Sequence, residues 1–147
     1  MRAVVTRVSS ASVTIDGIVR GEIDKGFLVL LGVATSDTPE QVKRLATKIC
    51  TLRVFSDNDG KMNLDLNAAG GSVLVISQFT LYADLKSRRP GFSRSAKPDV
   101  AIPLYELFIE QCRELGFEVQ TGEFGAMMDV ASVNDGPVTI LFDTDEL

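Results

Sequence analysis

The stretch Ser77-Gln78-Phe79-Thr80 brings two hydroxyl groups and one amide together directly after the apolar run 73–76. Protein scaffolds commonly display functional groups at strand ends, where these side chains could offer hydrogen bonds to a substrate. The plainer interpretation is that Ser77 and Thr80 satisfy nearby backbone groups while Phe79 fills the core. No base is evident that could deprotonate Thr80, so its hydroxyl would be a poor nucleophile.

A second chemically distinctive stretch, residues 86–97, contains five basic residues and no acidic one, although the chain as a whole carries a net charge of −5. These five are a third of all the basic residues: Lys86, Arg88, Arg89, Arg94 and Lys97. Because the stretch also contains Pro90, Gly91 and Phe92, it is predicted to be a loop. It is either a solvated charged loop or a phosphate-binding loop, and the second would bind nucleic acid in a salt-dependent way.

The third feature is Gly136-Pro137, inside the sequence NDGPVTI. Local sequence favours an ordinary turn or the start of a strand over 138–142. Yet X-Pro bonds are cis in roughly 5–6% of folded cases, and a cis bond could aim neighbouring carbonyl groups into a site. A carbonyl held in this way can bind an ammonium group.

Composition narrows the possible chemistry. The chain has 147 residues, 45% of them hydrophobic, which predicts one globular domain over 1–147. It contains no histidine, which excludes Ser-His-Asp and Cys-His catalysis and argues against a zinc site. We expect no metal and no cofactor. Cys50 and Cys112 lie in apolar helical patterns and are predicted to be reduced core thiols. No apolar run is long enough to span a membrane and no signal peptide is evident, so we expect a cytoplasmic protein.

The elements that must position these residues can be outlined from periodicity. Alternation over 4–15 before Asp16-Gly17 predicts a β-hairpin, and the apolar run 27–33 predicts a central strand buried on both faces. A helix is expected over 36–52, and a second from about Asp99 to Gly116. Their buried stripes are Val42, Leu45, Ala46, Ile49 and Cys50 in the first and Leu104, Leu107, Phe108, Cys112 and Leu115 in the second.

The remaining segments are predicted to be short strands. Two surround a turn at Asp57–Gly60, whose acidic residues superficially suggest a calcium loop but lack the downstream ligands. Three more lie around 117–121, 128–133 and 138–142. Two helices among seven or eight strands, with no phosphate-binding glycine motif and no repeat, predict an α+β fold with a curved, barrel-like mixed β-sheet in a single domain.

Four motifs together resemble the D-aminoacyl-tRNA deacylases: SQFTL at 77–81, NDGPVT at 134–139, SDNDGKMN at 56–63 and AGGSVLV at 69–75. The resemblance extends over nearly the whole chain, from TRVSSASVTIDG near the start to VTILF near the end. It implies an enzyme that hydrolyses the ester between a D-amino acid and the terminal adenosine of tRNA, and that also removes glycine from mischarged tRNA(Ala).

The resemblance also implies a homodimer in which Gly136-Pro137 of one subunit, joined by a cis bond, enters the active site of the other. There its backbone would reject L-amino acids by exclusion. The 2′-hydroxyl of the terminal ribose would help to activate water, which agrees with the missing histidine. The backbone N–H groups of Phe79 and Thr80 would stabilise the oxyanion, while Ser77 and Gln78 would position the substrate. Thr80 as a covalent nucleophile remains an alternative.

Further residues take roles from the same resemblance. Arg7 matches an arginine that braces the Gly-Pro loop, with a surface strand position as its alternative. Phe124 and Met128 resemble pocket-lining residues, and core packing is equally plausible for them. Lys86, Arg88 and Arg89 are candidate tRNA contacts.

Two other functions stay open at this point. A sibling deacylase group keeps the fold but accepts small L-amino acids, so the chirality of the accepted substrate distinguishes it. A non-catalytic tRNA-binding domain is the third possibility. Intact SQFT and Gly-Pro elements favour catalysis.

Overall fold

The computed structural model describes residues 1–147 without a gap. Eight strands and two helices follow one another in the order β1 Arg2–Ile15, β2 Ile18–Ile23, β3 Gly26–Gly32, α1 Pro39–Cys50, β4 Phe55–Ser56, β5 Met62–Leu64, β6 Ser72–Ser77, α2 Pro98–Glu114, β7 Val119–Thr121 and β8 Asp129–Asp143. Short 3₁₀ helices occupy Phe79–Tyr82 and Thr144–Glu146. The predicted α+β class with two main helices is confirmed.

One mixed sheet forms the body of the molecule, in the order β2-β1-β3-β6-β7, with β8 added along β1. The pairs β3–β6 and β6–β7 are parallel and the others antiparallel. The sheet curls until its two ends meet, since a Cβ atom on Gly21 of β2 would lie 2.8 Å from the carbonyl oxygen of Thr121 in β7. The predicted barrel-like curvature is therefore confirmed.

The first hairpin forms as the sequence predicts. Asp16 and Gly17 both have positive φ, 51° and 76°, the geometry of a two-residue turn that matches the twist of its strands. β3 is buried on both faces, because Phe27 packs in the larger hydrophobic cluster and Leu28 in the smaller one on the opposite face.

Both helices pack on one face of the sheet and on each other. The expected buried stripe of α1 is confirmed in full. In α2 two of the five expected positions are wrong: Leu107, in the middle of the helix, is only partly buried, and Leu115 is 45% exposed because it follows the last helical turn. Cys50 and Cys112 are free and buried between the helices with their sulfur atoms 3.7 Å apart, so the prediction of reduced core thiols is confirmed.

One prediction about the strands is wrong. The segments 128–133 and 138–142 do not form two strands around a Gly-Pro turn, because the continuous strand β8 runs from Asp129 through both. Between the pairs Thr6↔Thr139 and Val8↔Asn134, only Arg7 of β1 faces the longer segment 135–138 of β8. Gly136-Pro137 therefore bulges out of a ladder that continues on either side.

Candidate active site

The Ser77–Thr80 stretch lies where β6 ends and a 3₁₀ helix begins. Ser77 is the last residue of β6, and Gln78 extends the parallel pairing by donating its backbone N–H to the carbonyl oxygen of Leu31 at 2.8 Å. The helix Phe79–Tyr82 then leaves the sheet. This turn places Phe79 and Thr80 at the surface, and the interpretation of Phe79 as a core residue is wrong because it is 53% exposed.

The start of this helix offers hydrogen-bond donors. Phe79 and Thr80 occupy its first turn, where backbone N–H groups have no acceptor within the helix. The side-chain amide of Gln78 donates to the Thr80 hydroxyl oxygen at 2.5 Å, so that hydroxyl is engaged by a side chain rather than by backbone. The first turn therefore has the donors that stabilise an oxyanion in acyl-transfer enzymes.

A cavity of about 320 Å³ opens beside this turn. Strand β6 and the turn contribute Ile76, Ser77, Gln78 and Phe79, the loop before β8 contributes Phe124, Gly125, Ala126, Met127 and Met128, and β8 itself contributes Val130. Five of these were not among the site residues predicted from sequence: Ile76, Gly125, Ala126, Met127 and Val130. No acidic or basic side chain is among the lining residues. The cavity therefore combines apolar walls with a few polar groups and offers no side-chain base.

Phe124 and Met128 lie between the cavity and the core. Each lines the cavity and is partly buried, Phe124 against the larger core cluster and Met128 against the smaller. Beneath Phe124 lies Tyr105, with an edge-on ring contact at 5.9 Å and a hydroxyl that donates to the backbone oxygen of Val75 at 3.1 Å. Burial raises the pKa of Tyr105 to about 12, so the phenol stays protonated and supports the cavity wall.

The Gly136-Pro137 bond is cis, as the resemblance implies, and both residues are exposed. Gly136 has φ of 123°, a conformation that L side chains rarely adopt, and a Cβ atom there would lie 2.8 Å from a guanidinium nitrogen of Arg7. The site therefore requires glycine on two counts, backbone conformation and space.

Arg7 holds this bulge in place. It is only 8% exposed, so the alternative of a surface strand position is wrong. Its Nε donates to the backbone oxygen of Asp135 at 3.1 Å, and a second nitrogen donates to the backbone oxygen of Val54. Sequence reasoning missed Asp135 and Val54, because neither has a side chain or spacing that would reveal a backbone contact with an arginine far away in the chain.

The Gly-Pro bulge and the cavity do not meet within one chain. Neither Gly136 nor Pro137 lines the cavity, and the nearest lining residue along β8 is Val130. Gly136 is six positions beyond Val130 along an extended strand, which corresponds to roughly 20 Å at about 3.3 Å per residue. The predicted site residues therefore form two separate groups on the surface of the single chain.

The basic stretch 86–97 begins in a hairpin-like loop, where Asp84 and Gly91 exchange two backbone hydrogen bonds of 2.7 and 2.9 Å. Lys86 lies 3.9 Å from the Asp84 carboxylate and is exposed, whereas Arg88 and Arg89 are exposed and form no ion pair. Phe92, which was not assigned a role from sequence, packs edge-on against Phe79 with ring centroids 4.9 Å apart. The basic loop is thus joined directly to the Ser77–Thr80 turn.

The segment Asp57–Gly60 forms the predicted turn, in which the Asp57 carboxylate accepts backbone N–H groups of Asp59 and Lys61. No group of three or more histidine, cysteine or acidic residues has an arrangement that could hold a metal ion. Neither α1 nor α2 has the length and hydropathy of a membrane-spanning helix.

Comparison with known proteins identifies the family of the chain. The family model described as D-Tyr-tRNA(Tyr) deacylase matches residues 4–143. The D-aminoacyl-tRNA deacylase of Thermus aquaticus is 56% identical over 147 residues, covering 99% of this chain and 97% of the relative. That of Pectobacterium atrosepticum is 55% identical over 145 residues, covering 98% of this chain and 100% of the relative.

The fold is also similar to that of a solved protein named c-Myc DNA Unwinding Element Binding Protein, with a TM-score of 0.92 and 39% identity over 97% of this chain and 98% of that one. The family match, the full-length relatives and the shared fold lead to one assignment. The chain belongs to the D-aminoacyl-tRNA deacylase family.

Proposed function

We propose that this protein hydrolyses the ester bond of D-aminoacyl-tRNA, and of glycyl-tRNA mischarged on tRNA(Ala), releasing the free amino acid and tRNA. Water adds to the ester carbonyl, the bond to the ribose oxygen breaks, and that oxygen takes up a proton. Membership of the family supports the reaction class. Two relatives that match this chain over nearly their full length are named D-aminoacyl-tRNA deacylases. A cytoplasmic location follows from the tRNA substrate.

The observation that carries the proposal is the composition of the cavity. Its lining residues include Phe79 at the first helical turn but no ionisable side chain. The chain lacks histidine altogether. A base must therefore come from elsewhere, and the 2′-hydroxyl of the terminal ribose, next to the ester, is positioned to assist an attacking water. The N–H groups of Phe79 and Thr80 then stabilise the developing oxyanion, while Ser77 and Gln78 orient the ester.

The same composition indicates how the substrate ammonium group is held. A buried ammonium group needs a partner, and the cavity provides no carboxylate. Backbone carbonyl oxygens can serve instead, and those of Gly136 and Pro137 lie in an exposed bulge that Arg7 holds in place. Because this bulge lies away from the cavity of its own chain, the proposal places it in the cavity of a second subunit. The protein then acts as a homodimer with active sites at the subunit interface.

Stereochemical selection follows from this arrangement. With the ammonium group held by carbonyls and the ester held by the Phe79–Thr80 turn, the two remaining directions at Cα are not equivalent. An L side chain would point into rigid backbone, whereas hydrogen or a D side chain would point outwards. Rejection of one enantiomer by ~10⁴ requires about 5.5 kcal/mol, which steric exclusion can supply.

The direct test is deacylation of matched D-aminoacyl-tRNA, L-aminoacyl-tRNA and glycyl-tRNA by the wild-type protein and by Gly136→Ala. The wild type is expected to cleave the D and glycyl esters and leave the L ester intact. Cleavage of neither enantiomer would reject the enzyme, and equal cleavage of both would reject the filter. Preference for small L-amino acids would instead identify the sibling deacylase activity.

The cross-subunit arrangement has its own test. The test uses a mixed dimer of two variants. One subunit carries Phe79→Pro, which removes the oxyanion donor at a helix start that tolerates proline. The other carries Gly136→Ala. If the Gly-Pro bulge acts across the interface, a mixed dimer contains one site with both elements intact and regains up to half of the activity per dimer. If the bulge acts within its own chain, every site carries a defect and mixing restores nothing.

Nucleic-acid binding without catalysis is a second candidate. The name of the similar solved protein refers to DNA binding, and the basic stretch 86–97 would serve either nucleic acid. Salt-dependent binding of both tRNA and duplex DNA, with no ester hydrolysis, would favour this candidate over the enzyme.

A further inference from the structure

The edge-on contact between Phe79 and Phe92 lies at the surface rather than in the core. Phe79 is 53% exposed and Phe92 is 36% exposed, although aromatic pairs in proteins mostly serve to fill buried volume. An edge-on pair leaves ring faces uncovered, since only one edge of one ring meets the face of the other. The pair therefore presents aromatic surface to solvent beside the cavity.

Hydrogen bonds fix the backbone beside this pair, and three arginines without an ion-pair partner lie within four residues of Phe92 along the chain. The Ser95 hydroxyl donates to the backbone oxygen of Phe79 at 2.9 Å, and the residue before Phe92 is tied to Asp84 by two backbone hydrogen bonds. The guanidinium of Arg94 lies 5.5 Å from the ring centre of Tyr82. Arg88 and Arg89 form no ion pair, and neither does Arg94. Exposed aromatic rings among unpaired cations are the combination that binds single-stranded nucleic acid.

We propose that Phe79 and Phe92 form a stacking site for an unpaired base that precedes the terminal adenosine of tRNA, a proposal that rests on the function proposed above. Phe79 lines the cavity and contacts Phe92 on another side, so the pair continues from the site of the terminal nucleotide towards the basic loop. Stacking accepts any base because every base has a π-face. The site therefore suits a 3′ end that all tRNAs leave unpaired.

The test compares three D-amino acid esters that differ only in the nucleotides attached: adenosine alone, the trinucleotide CCA, and whole tRNA. Phe92→Leu removes the ring and Phe92→Trp keeps an aromatic surface. Leu115→Ala, which shortens an exposed apolar side chain at the end of α2, is the matched control. KM and kcat are measured for each combination.

We expect Phe92→Leu to raise KM for the trinucleotide and tRNA esters about tenfold, in keeping with the loss of one stacked base. The adenosine ester should keep its kcat/KM, and Phe92→Trp and Leu115→Ala should match the wild type on all three. Equal losses on all three esters would show that Phe92 only supports the turn, and would overturn the proposal. So would a wild-type enzyme that binds the trinucleotide no better than adenosine. If the wild type cleaves none of the three, the proposed function itself fails.

Discussion

Nε of Arg7 donates to the backbone oxygen of Asp135 at 3.1 Å and lies 3.3 Å from the carboxylate of the same residue. A second guanidinium nitrogen reaches the backbone oxygen of Val54. One buried planar group thus joins β1, the residue before β4 and the bulge in β8. The position of Gly136, the next residue along the chain, depends on it.

Arg7→Lys should therefore weaken both stability and catalysis. A lysine ammonium cannot reproduce the fork of the guanidinium, and a buried carbonyl that loses its partner costs about 1–3 kcal/mol. We expect the free energy of unfolding, measured in urea, to fall by that amount, and the rate of deacylation of D-aminoacyl-tRNA to fall as well. Asp135→Asn is the control, because it keeps the backbone carbonyl and removes only a half-exposed charge, worth at most about 1 kcal/mol. If both variants lose the same amount, the ion pair rather than the carbonyl bond holds the bulge.

Sequence reasoning predicted elements whose residues signal them locally. The hairpin at Asp16-Gly17, the buried stripe of α1 and the strand that ends at Ser77 all follow from short-range periodicity or turn chemistry. The strand through Gly136-Pro137 was not predicted, because glycine and proline normally interrupt strands. Proline is tolerated here because β8 pairs only with β1 and so has a free edge where no N–H is needed.

Candidate site residues were also predicted where their signal is local and missed where it depends on a distant contact. Ser77 and Phe79 were identified because their motif is contiguous, whereas the role of Phe92 depends on a ring contact across the loop 84–91. The burial of Arg7 likewise depends on a bulge in a distant strand. Contacts of high sequence separation made through backbone atoms leave no signal in a single sequence.

Thr80→Ala distinguishes the two possible roles of that residue. If the backbone N–H is the catalytic group, removing the hydroxyl costs only the contact with the Gln78 amide, and single-turnover hydrolysis should stay within about tenfold of the wild type. Phe79→Pro should fall by about 10²–10³ relative to Phe79→Ala, which also loses the ring but keeps the backbone N–H; this is the usual effect of removing one oxyanion donor. Complete loss in Thr80→Ala, with trapping of an acyl-enzyme in the wild type, would show instead that the hydroxyl is a nucleophile.

Charge reversal at Arg88 and Arg89 tests the basic loop. Both are exposed and unpaired, so their replacement by glutamate should leave stability nearly unchanged. If they contact phosphates, the slope of log affinity for tRNA against log salt should become shallower by about 0.7–0.9 for each lost contact. The control is the same reversal at Lys43 and Arg44, two exposed residues of α1. Equal effects of the two double variants would point to general charge rather than to this loop.

The raised pKa of Tyr105 makes the stability of the protein depend on pH in the alkaline range. Burial raises its pKa to about 12, above the ordinary value of about 10. Burial, then the negative charges of Asp37 and Asp143, raise the pKa of Tyr82, the other tyrosine, as well. Both phenols hold their protons more tightly in the folded state. The contribution of Tyr105 to stability is therefore complete below about pH 10 and is lost as the pH rises through about 12. That of Tyr82 changes with pH in the same direction.

Tyrosinate absorbance provides the measurement, because the chain contains two tyrosines and no tryptophan. The folded protein should develop little signal between about pH 10 and pH 11, whereas the protein in urea should titrate near 10. Tyr105→Phe should remove the earlier of the two folded-state steps and lower the free energy of unfolding by about 1 kcal/mol, since the Val75 carbonyl loses its hydroxyl partner. The ring contact with Phe124 remains, so hydrolysis should persist. A folded-state step near pH 10 that disappears in this variant would mean that solvent reaches the phenol and that the cavity wall is open at Tyr105.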